Sequence, residues 1–391
     1  MDVFLLSAAR TPIGKFLSDL ADLPAPKLGA IALAESLKRA NVKPEQVDEV
    51  IFGNVIQAGV GQNPARQAAL AAGLPNTIAA YTVNKVCGSG LKAAMLGAQA
   101  IKAGDAEIVV AGGMESMSRA PYLADGVRGG LKYGDGKLVD SLVRDGLWCP
   151  FENWPMGDAA EFIACDCGIT RGDQDRFSAQ SHKRAAAAWE AGAFTAEVVP
   201  VTVGSGAKAR TISRDEGIRP DSTPEGLAKL RPAFRPDGTV TAGNASQLSD
   251  GAAAVVLASG RAVERLNAKP LARVVAYATS GVAPKEIFRA PVPAVRMVLE
   301  KSKLALKDIG LFELNEAFAA QMLACGKELG LDETKVNVHG GAIALGHPIG
   351  ASGARVLVTL VHAMARHNQR YGLASLCLGG GNAVAMVIER L

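Results

Sequence analysis

The sequence predicts an α/β protein made of two similar layered halves with a loop-rich domain inserted. Three observations carry this. Strand-like and helix-like runs alternate through the first hundred residues, the alternation stops between Glu115 and about Ser249, and it resumes after Asp250 with a run that echoes an earlier one. Strands alternating with helices of ~10–15 residues imply stacked layers of sheet and helix. At 391 residues the chain also exceeds the ~250–300 that one hydrophobic core usually serves.

Val3–Ala9 reads as a buried strand, Lys27–Ala40 as an amphipathic helix and Glu49–Val55 as a second strand. Asn63–Ala72 is helical, with Pro64 in its first turn, where a missing N–H costs nothing. A strand at Tyr81–Val86, a helix from Ser89 to Ala103 and a strand at Glu107–Gly112 complete the series. Then Gly, Pro, Asp and Arg become dense, as in YLADGVRGGLKYGDGK and CPFENWPMGD, followed by a predicted helical pair within Thr170–Ala191. Long ordered loops inside a compact protein are usually functional. After Asp250 come the strands of GAAAVVLAS and LARVVAYAT, a helix at Val292–Ser302, and the strand and helix of IGLFELNEAFAAQMLACGKELGL.

The echo is an internal repeat. Cys87-Gly-Ser-Gly-Leu-Lys-Ala-Ala opens a helix followed by AEIVVAGGM, and Gly350-Ala-Ser-Gly-Ala-Arg-Val-Leu opens a helix followed by LASLCLGGGNAV. Ser89 falls in register with Ser352, Gly90 with Gly353 and Lys92 with Arg355. The expected divisions are residues 1–117 as a first half, 118–249 as the inserted domain and 269–391 as a second half. Residues 250–268 complete the first half's sheet.

Composition narrows the class of partner. Hydrophobic residues make up 49% and charged residues 20%, as in a globular protein with a large core. A net charge of +4, with no Lys/Arg run interleaved with aromatics, argues against a nucleic-acid surface. No apolar run approaches the ~18 residues of a membrane helix, and the N-terminus lacks the basic leader of a signal peptide. The six cysteines form no disulfide framework, so a reducing, cytoplasmic setting is expected.

Four stretches carry candidate chemistry. Cys87 sits at a strand end and just before a helix, where unpaired N–H groups and the helix dipole favour a thiolate. Asn315-Glu316 follow the apolar strand LFEL. Asn337–Ala354, NVHGGAIALGHPIGASGA, is a glycine-dense loop holding His347. Leu376–Ala383, LCLGGGNA, sets Cys377 at a strand end before three glycines. The glycines match neither G-x-G-x-x-G nor a GK[ST] loop, which excludes nucleotide-loop readings. Cys165 and Cys167 have no second ligand pair at metal-binding spacing, so no metal is expected there.

Six motifs, NKVCGSGLKA, AGGMESMS, GTVTAGNAS, NEAFAAQ, NVHGGAIALGHPIGASGAR and GLASLCLGGGNA, occur in the order found in thiolases, and the chain resembles that family over its whole length. The resemblance implies a duplicated thiolase-like fold and an acyltransferase that condenses two acetyl-CoA to acetoacetyl-CoA and CoA. Coenzyme A enters as substrate and product, with no other cofactor. It makes Cys87 the nucleophile that carries the acyl group, His347 its activator and a donor to the thioester oxygen, and Asn315 the holder of a water in that oxyanion site. Cys377 becomes the acid/base at the acetyl-CoA methyl carbon, and the N–H groups of Cys87 and Gly379 a second oxyanion hole.

These types suit the chemistry. Cleaving a carbon–carbon bond beside a ketone needs a nucleophile at the carbonyl, an acid for the departing carbanion and donors for its enolate oxygen. By the same resemblance Leu147, Met156, Arg219, Phe234, Ala242, Ser246 and Leu248 line the coenzyme A channel, and Ala317 and Phe318 wall the acyl end. Glu316 either orients the histidine or favours a helix N-terminus. Thiolases are dimers or tetramers, and Val127–Val139 looks like the segment that joins dimers. Alternatives are a 3-ketoacyl-CoA thiolase for longer chains, a ketoacyl-synthase-type condensing enzyme, or a non-catalytic CoA-binding relative. Pro155 stands where acetoacetyl-CoA thiolases commonly have a histidine, and Ile287 and Phe288 also differ from the short-chain pattern.

Overall fold

The computed structural model describes residues 1–391. The strands that build its layers are β1 (Val3–Arg10), β2 (Glu49–Gly53), β3 (Ala79–Val83), β4 (Ile108–Ser116), β5 (Ser249–Ser259), β6 (Ala272–Gly281), β7 (Leu311–Leu314), β8 (Tyr371–Leu378) and β9 (Asn382–Arg390). The principal helices are α1 (Ala25–Ala40), α2 (Pro64–Ala71), α3 (Ser89–Ala103), α4 (Met156–Cys167), α5 (Arg171–Glu190), α6 (Pro291–Ser302), α7 (Ala319–Leu329) and α8 (Ile349–Arg366).

The strands lie in the order β7-β8-β9-β6-β1-β5-β4-β2-β3. The expected repeat is visible in this order. From β1 outward, β5 and β4 join antiparallel and β2 parallel. From β6 outward, β9 and β8 join antiparallel and β7 parallel. The halves meet where β1 and β6 pair through only Phe4↔Arg273 and Leu5↔Ala272. β3 has no full counterpart; a single bridge, Phe312↔Val336, occupies its place in the second half.

Both faces of the sheet are covered, which explains why β4 and β5 read as unbroken apolar runs. In β4, Ile108 and Val110 pack with Leu28, Leu33 and Ala68 of α1 and α2. Val109 and Ala111 point the other way, into a core shared with α3, α8 and the second half's Leu376, Met386 and Ile388. The outer face of the second half packs on α6 and α7 through Ala385, Val387, Val295 and Met322. The result is five layers, helix–sheet–helix–sheet–helix, with α3 and α8 in the middle.

The two central helices touch at their first turns, and two glycines allow it. A Cβ on Gly90 would lie 2.5 Å from the backbone nitrogen of Ala354, and one on Gly353 would overlap that of Leu91. Cys87 and His347 precede these turns, so the contact draws the ends of the two halves together.

Two sequence expectations change. Thr170–Ala191 holds one helix, not a pair, because no Gly or Pro interrupts it after Asp173. Thr170 and Asp173 form a capping box, Thr170 Oγ1 accepting from Asp173 N at 3.2 Å and Asp173 Oδ2 from Thr170 N at 3.0 Å. The helix after LFEL opens at Ala319, so Asn315 and Glu316 lie in an extended connection and neither caps a helix. The inserted stretch places α4 against the second half, where Ala160 and Ile163 pack with Phe288, Ala317 and Cys377.

Candidate active site

A cavity of about 330 Å³ opens between the halves and the inserted stretch. Cys87, Cys377, His347 and Gly379 all face it. Leu147, Met156, Phe234, Ser246, Leu248, Ala317 and Phe318 also line it, with Pro155, Ile287 and Phe288. Phe288 and Phe318 meet edge to face at 5.4 Å and Phe234 and Phe318 at 6.4 Å, which gives a rigid aromatic wall. Asn315 is fully buried one layer behind His347. Arg219 and Ala242 are exposed and outside the cavity wall, in the surrounding inserted stretch. No group of three or more His, Cys, Asp or Glu side chains is set to hold a metal ion.

Cys87 is presented by a strained turn. Val86 has φ +46°, which a β-branched side chain rarely adopts, at a cost of order 1–3 kcal/mol. Side chains hold it there. Val86 N donates to Asn84 Oδ1 at 3.0 Å, Lys85 N donates to Ser89 Oγ at 2.8 Å, and Ser89 Oγ donates to Val86 O at 2.6 Å. The turn directs the Cys87 thiol to the backbone N–H groups of Cys87 and Gly379.

These donors act to lower the thiol's pKa, as the helix-terminus reasoning predicts, but they are outweighed. Burial is the larger effect, with the charge of Glu115 adding to it, and the thiol is pushed up to about 12. Cys377, at the end of β8, is raised well above its ordinary value by burial first and by the nearby Cys87 second. Both cysteines therefore rest as thiols. Cys87 needs a base, and Cys377 ionises more readily once Cys87 cannot carry charge.

His347 is the imidazole that shares the cavity with Cys87. Its backbone N donates to Gln247 O at 3.0 Å, its Nδ1 lies 2.6 Å from Ser352 Oγ and its Nε2 lies 3.4 Å from Asn315 Nδ2. Burial first and Arg355 second push its pKa down to about 3, so the ring is neutral.

Glu316 makes no hydrogen bond to His347 and does not open the helix that follows it. Its carboxylate accepts from Ser181 Oγ at 2.7 Å, Asn337 Nδ2 at 2.9 Å and Ile343 N at 3.2 Å, tying down the glycine-rich loop that leads to His347. Glu115, in the AGGMESMS stretch, clamps the two halves. It accepts from Val55 N at 3.0 Å and Ile56 N at 3.2 Å in the first half, and from Gly350 N at 2.9 Å at the start of α8. Glu115, Gln247, Ser352 and Arg355 were not singled out as site residues in the sequence. Only the repeat register, which marks Ser352 and Arg355, carried a signal for any of them.

Fold and site together define the class. The thiolase N-terminal domain family matches residues 3–261 and the thiolase C-terminal domain family residues 268–390. The chain belongs to the thiolase family. It is 55% identical over 388 residues to the acetyl-CoA acetyltransferase of Escherichia coli (strain K12), covering 99% of this chain and 98% of that one. It is 53% identical to the acetyl-CoA acetyltransferase of Cupriavidus necator, covering 100% and 99%. The crystal structure of the Bacillus anthracis acetyl-CoA acetyltransferase superposes with a TM-score of 0.98 at 45% identity, covering 100% of this chain and 99% of that one.

Proposed function

We propose that this protein is an acetyl-CoA acetyltransferase that joins two acetyl-CoA into acetoacetyl-CoA and CoA through an acyl group on Cys87. The observation that supports it most is the convergence of two resting thiols and one neutral imidazole on a single small cavity. His347 Nε2 takes and holds the Cys87 proton as the sulfur attacks the acetyl-CoA carbonyl, and Cys377 gives its own proton to the departing CoA thiolate. Cys87 is then a neutral thioester, which relieves the repulsion on Cys377. The Cys377 thiolate takes a proton from the methyl group of a second acetyl-CoA. The enolate oxygen is held by a water on Asn315 and by His347. The carbanion attacks acetyl-Cys87, the N–H groups of Cys87 and Gly379 hold the tetrahedral oxyanion, and His347 returns its proton to the departing Cys87 sulfur. Each such donor is typically worth ~3–4 kcal/mol in the transition state.

In this reading the stretch 118–249 carries coenzyme A past Leu147, Met156, Phe234, Ser246 and Leu248, with Arg219 and Ala242 further out. The aromatic wall of Phe288 and Phe318 favours a short acyl group over the long chains of a degradative thiolase. The protein acts in the cytoplasm as a dimer or tetramer in short-chain acyl metabolism, with Val127–Val139 joining dimers. No helix is long and apolar enough to cross a membrane. The test is thiolysis of acetoacetyl-CoA against longer 3-ketoacyl-CoA, with mass spectrometry of the trapped enzyme. An acetyl group on Cys87 and at least a tenfold preference (~1.4 kcal/mol) for acetoacetyl-CoA are expected. Undiminished turnover by Cys87→Ala would sink the reading.

A further inference from the structure

Behind His347 runs a buried chain of hydrogen bonds with only one consistent direction. Arg355 Nη2 lies 3.4 Å from Asn315 Oδ1, Asn315 Nδ2 lies 3.4 Å from His347 Nε2, His347 Nδ1 lies 2.6 Å from Ser352 Oγ, and Ser352 Oγ lies 2.9 Å from Pro348 O. A guanidinium has only donors, so the Arg355 end sets the direction of the chain. Arg355 must face the amide oxygen of Asn315, which turns the amide nitrogen toward His347. With Nε2 the acceptor, the imidazole's one hydrogen is on Nδ1 and is donated to Ser352 Oγ, which can in turn donate to Pro348 O. This leaves His347 Nε2 the unprotonated nitrogen, its lone pair met only by the long 3.4 Å contact from Asn315 Nδ2. Turning the Asn315 amide over would set its NH2 against the Arg355 guanidinium, donor to donor.

We propose that Arg355 is a positioning residue that, through Asn315 and with Ser352 at the far end, locks His347 in the tautomer able to take the Cys87 proton. The proposal rests on the thiolase reading for its consequence in turnover, while the direction of the chain rests on geometry alone. Arg355 is itself built in. It is buried, its Nη1 pairs with Glu313 Oε2 at 3.3 Å, and the other charged groups that face it are Glu316, Glu197 and Arg10, all buried. Glu313 lies two residues before Asn315 on β7, so one ion pair anchors the strand end that carries the amide. The only charged group that bears on His347 is Arg355. The equivalent residue of the first half, Lys92, is half-buried, which marks the buried guanidinium as specific to the half that carries the base. In the step concerned the proton moves from Cys87 Sγ to His347 Nε2, leaving a thiolate and an imidazolium. The new Nε2–H is the donor the thioester oxygen then needs, and Nδ1–H stays on Ser352 throughout.

Two measurements on the purified full-length protein test this. One is the rate of alkylation of Cys87 by iodoacetamide from about pH 6 to about pH 10, which needs no thiolase turnover. The other is acetoacetyl-CoA thiolysis, resolved into kcat and KM. Arg355→Gln offers either a donor or an acceptor to Asn315, and Ser352→Ala removes the acceptor for Nδ1–H. Both are expected to slow alkylation near pH 7 about ten- to hundredfold, with the gap closing toward pH 10 as the thiol ionises unaided. kcat falls by a similar factor, KM stays within about twofold, and Arg355→Lys, still a charged donor, recovers most of the loss. Variants that match the wild type, an Arg355→Lys as slow as Arg355→Gln, or a loss equal at every pH would overturn the proposal. A wild type that shows the alkylation profile but no thiolysis would instead overturn the assigned reaction and leave the chain standing.

Discussion

The contact between the first turns of α3 and α8 can be tested with one methyl group. In Gly90→Ala the new Cβ would sit 2.5 Å from Ala354 N and 3.2 Å from Gly350 O, where ordinary contact begins near 3.4 Å. The obstacle is backbone, so it cannot rotate away, and the helices must part by up to about 1 Å. Overpacking of this kind costs ~1–3 kcal/mol, offset by up to ~1 kcal/mol from the better helix propensity of alanine. The net is about 1–2 kcal/mol of lost stability. The effect on turnover is larger, because Cys87 and His347 stand immediately before these two turns and a displacement of about 1 Å between reacting groups costs of order a hundredfold.

The assay is thiolysis kcat together with the temperature of half-inactivation, which does not assume two-state unfolding. Gly326→Ala in α7 is the control, since a Cβ there meets nothing within 4 Å, and it should gain ~0.5–1 kcal/mol. A Gly90→Ala enzyme as active as the wild type and as stable as Gly326→Ala would refute the role given to this contact.

Two further outcomes follow from features described above or close to them. His339 is buried and its pKa is pushed down to about 4, first by burial, so the unfolded chain binds the extra proton between about pH 6.5 and 4. Its contribution to stability is therefore full above pH 6.5 and lost as pH falls, by ~1.4 kcal/mol at pH 5.5. Urea unfolding of His339→Gln should lose less between pH 7 and 5.5 than the wild type does, and an equal loss contradicts this. Phe318→Ala removes one side of the aromatic wall, so the kcat/KM ratio of 3-ketohexanoyl-CoA to acetoacetyl-CoA should rise about tenfold; an unchanged ratio would show that the wall does not set acyl length.

Much of the architecture was legible in the sequence because it depends on local pattern. Strands covered on both faces leave unbroken apolar runs, and the doubled Ser-Gly helix start announces two related halves that the strand order bears out. The glycine-dense stretches also led to the cavity, since Cys87, His347, Cys377 and Gly379 all sit at element ends. Electrostatics were less legible. A helix terminus near Cys87 can be read from spacing, but the burial that outweighs it depends on a second half some 260–290 residues away, where Gly379 and Cys377 lie. Glu316 shows the same limit. Its partners Ser181, Asn337 and Ile343 are scattered along the chain, and no spacing rule joins them. Arg355 and Ser352 stood in the repeat register without a role, because direction in a hydrogen-bond chain appears only once its donor end is known.

The narrow join between β1 and β6 bears on the life of the polypeptide before it is complete. Each half has its own outer core, against α1 and α2 in one and α6 and α7 in the other, so each has the means to fold as a unit. A nascent chain that has reached β5 owns a cysteine on a strained turn, but it lacks His347, Cys377 and the N–H of Gly379. Glu115 at that stage lacks its Gly350 contact as well. Reactivity thus arrives with the last hundred residues, once α8 docks beside α3.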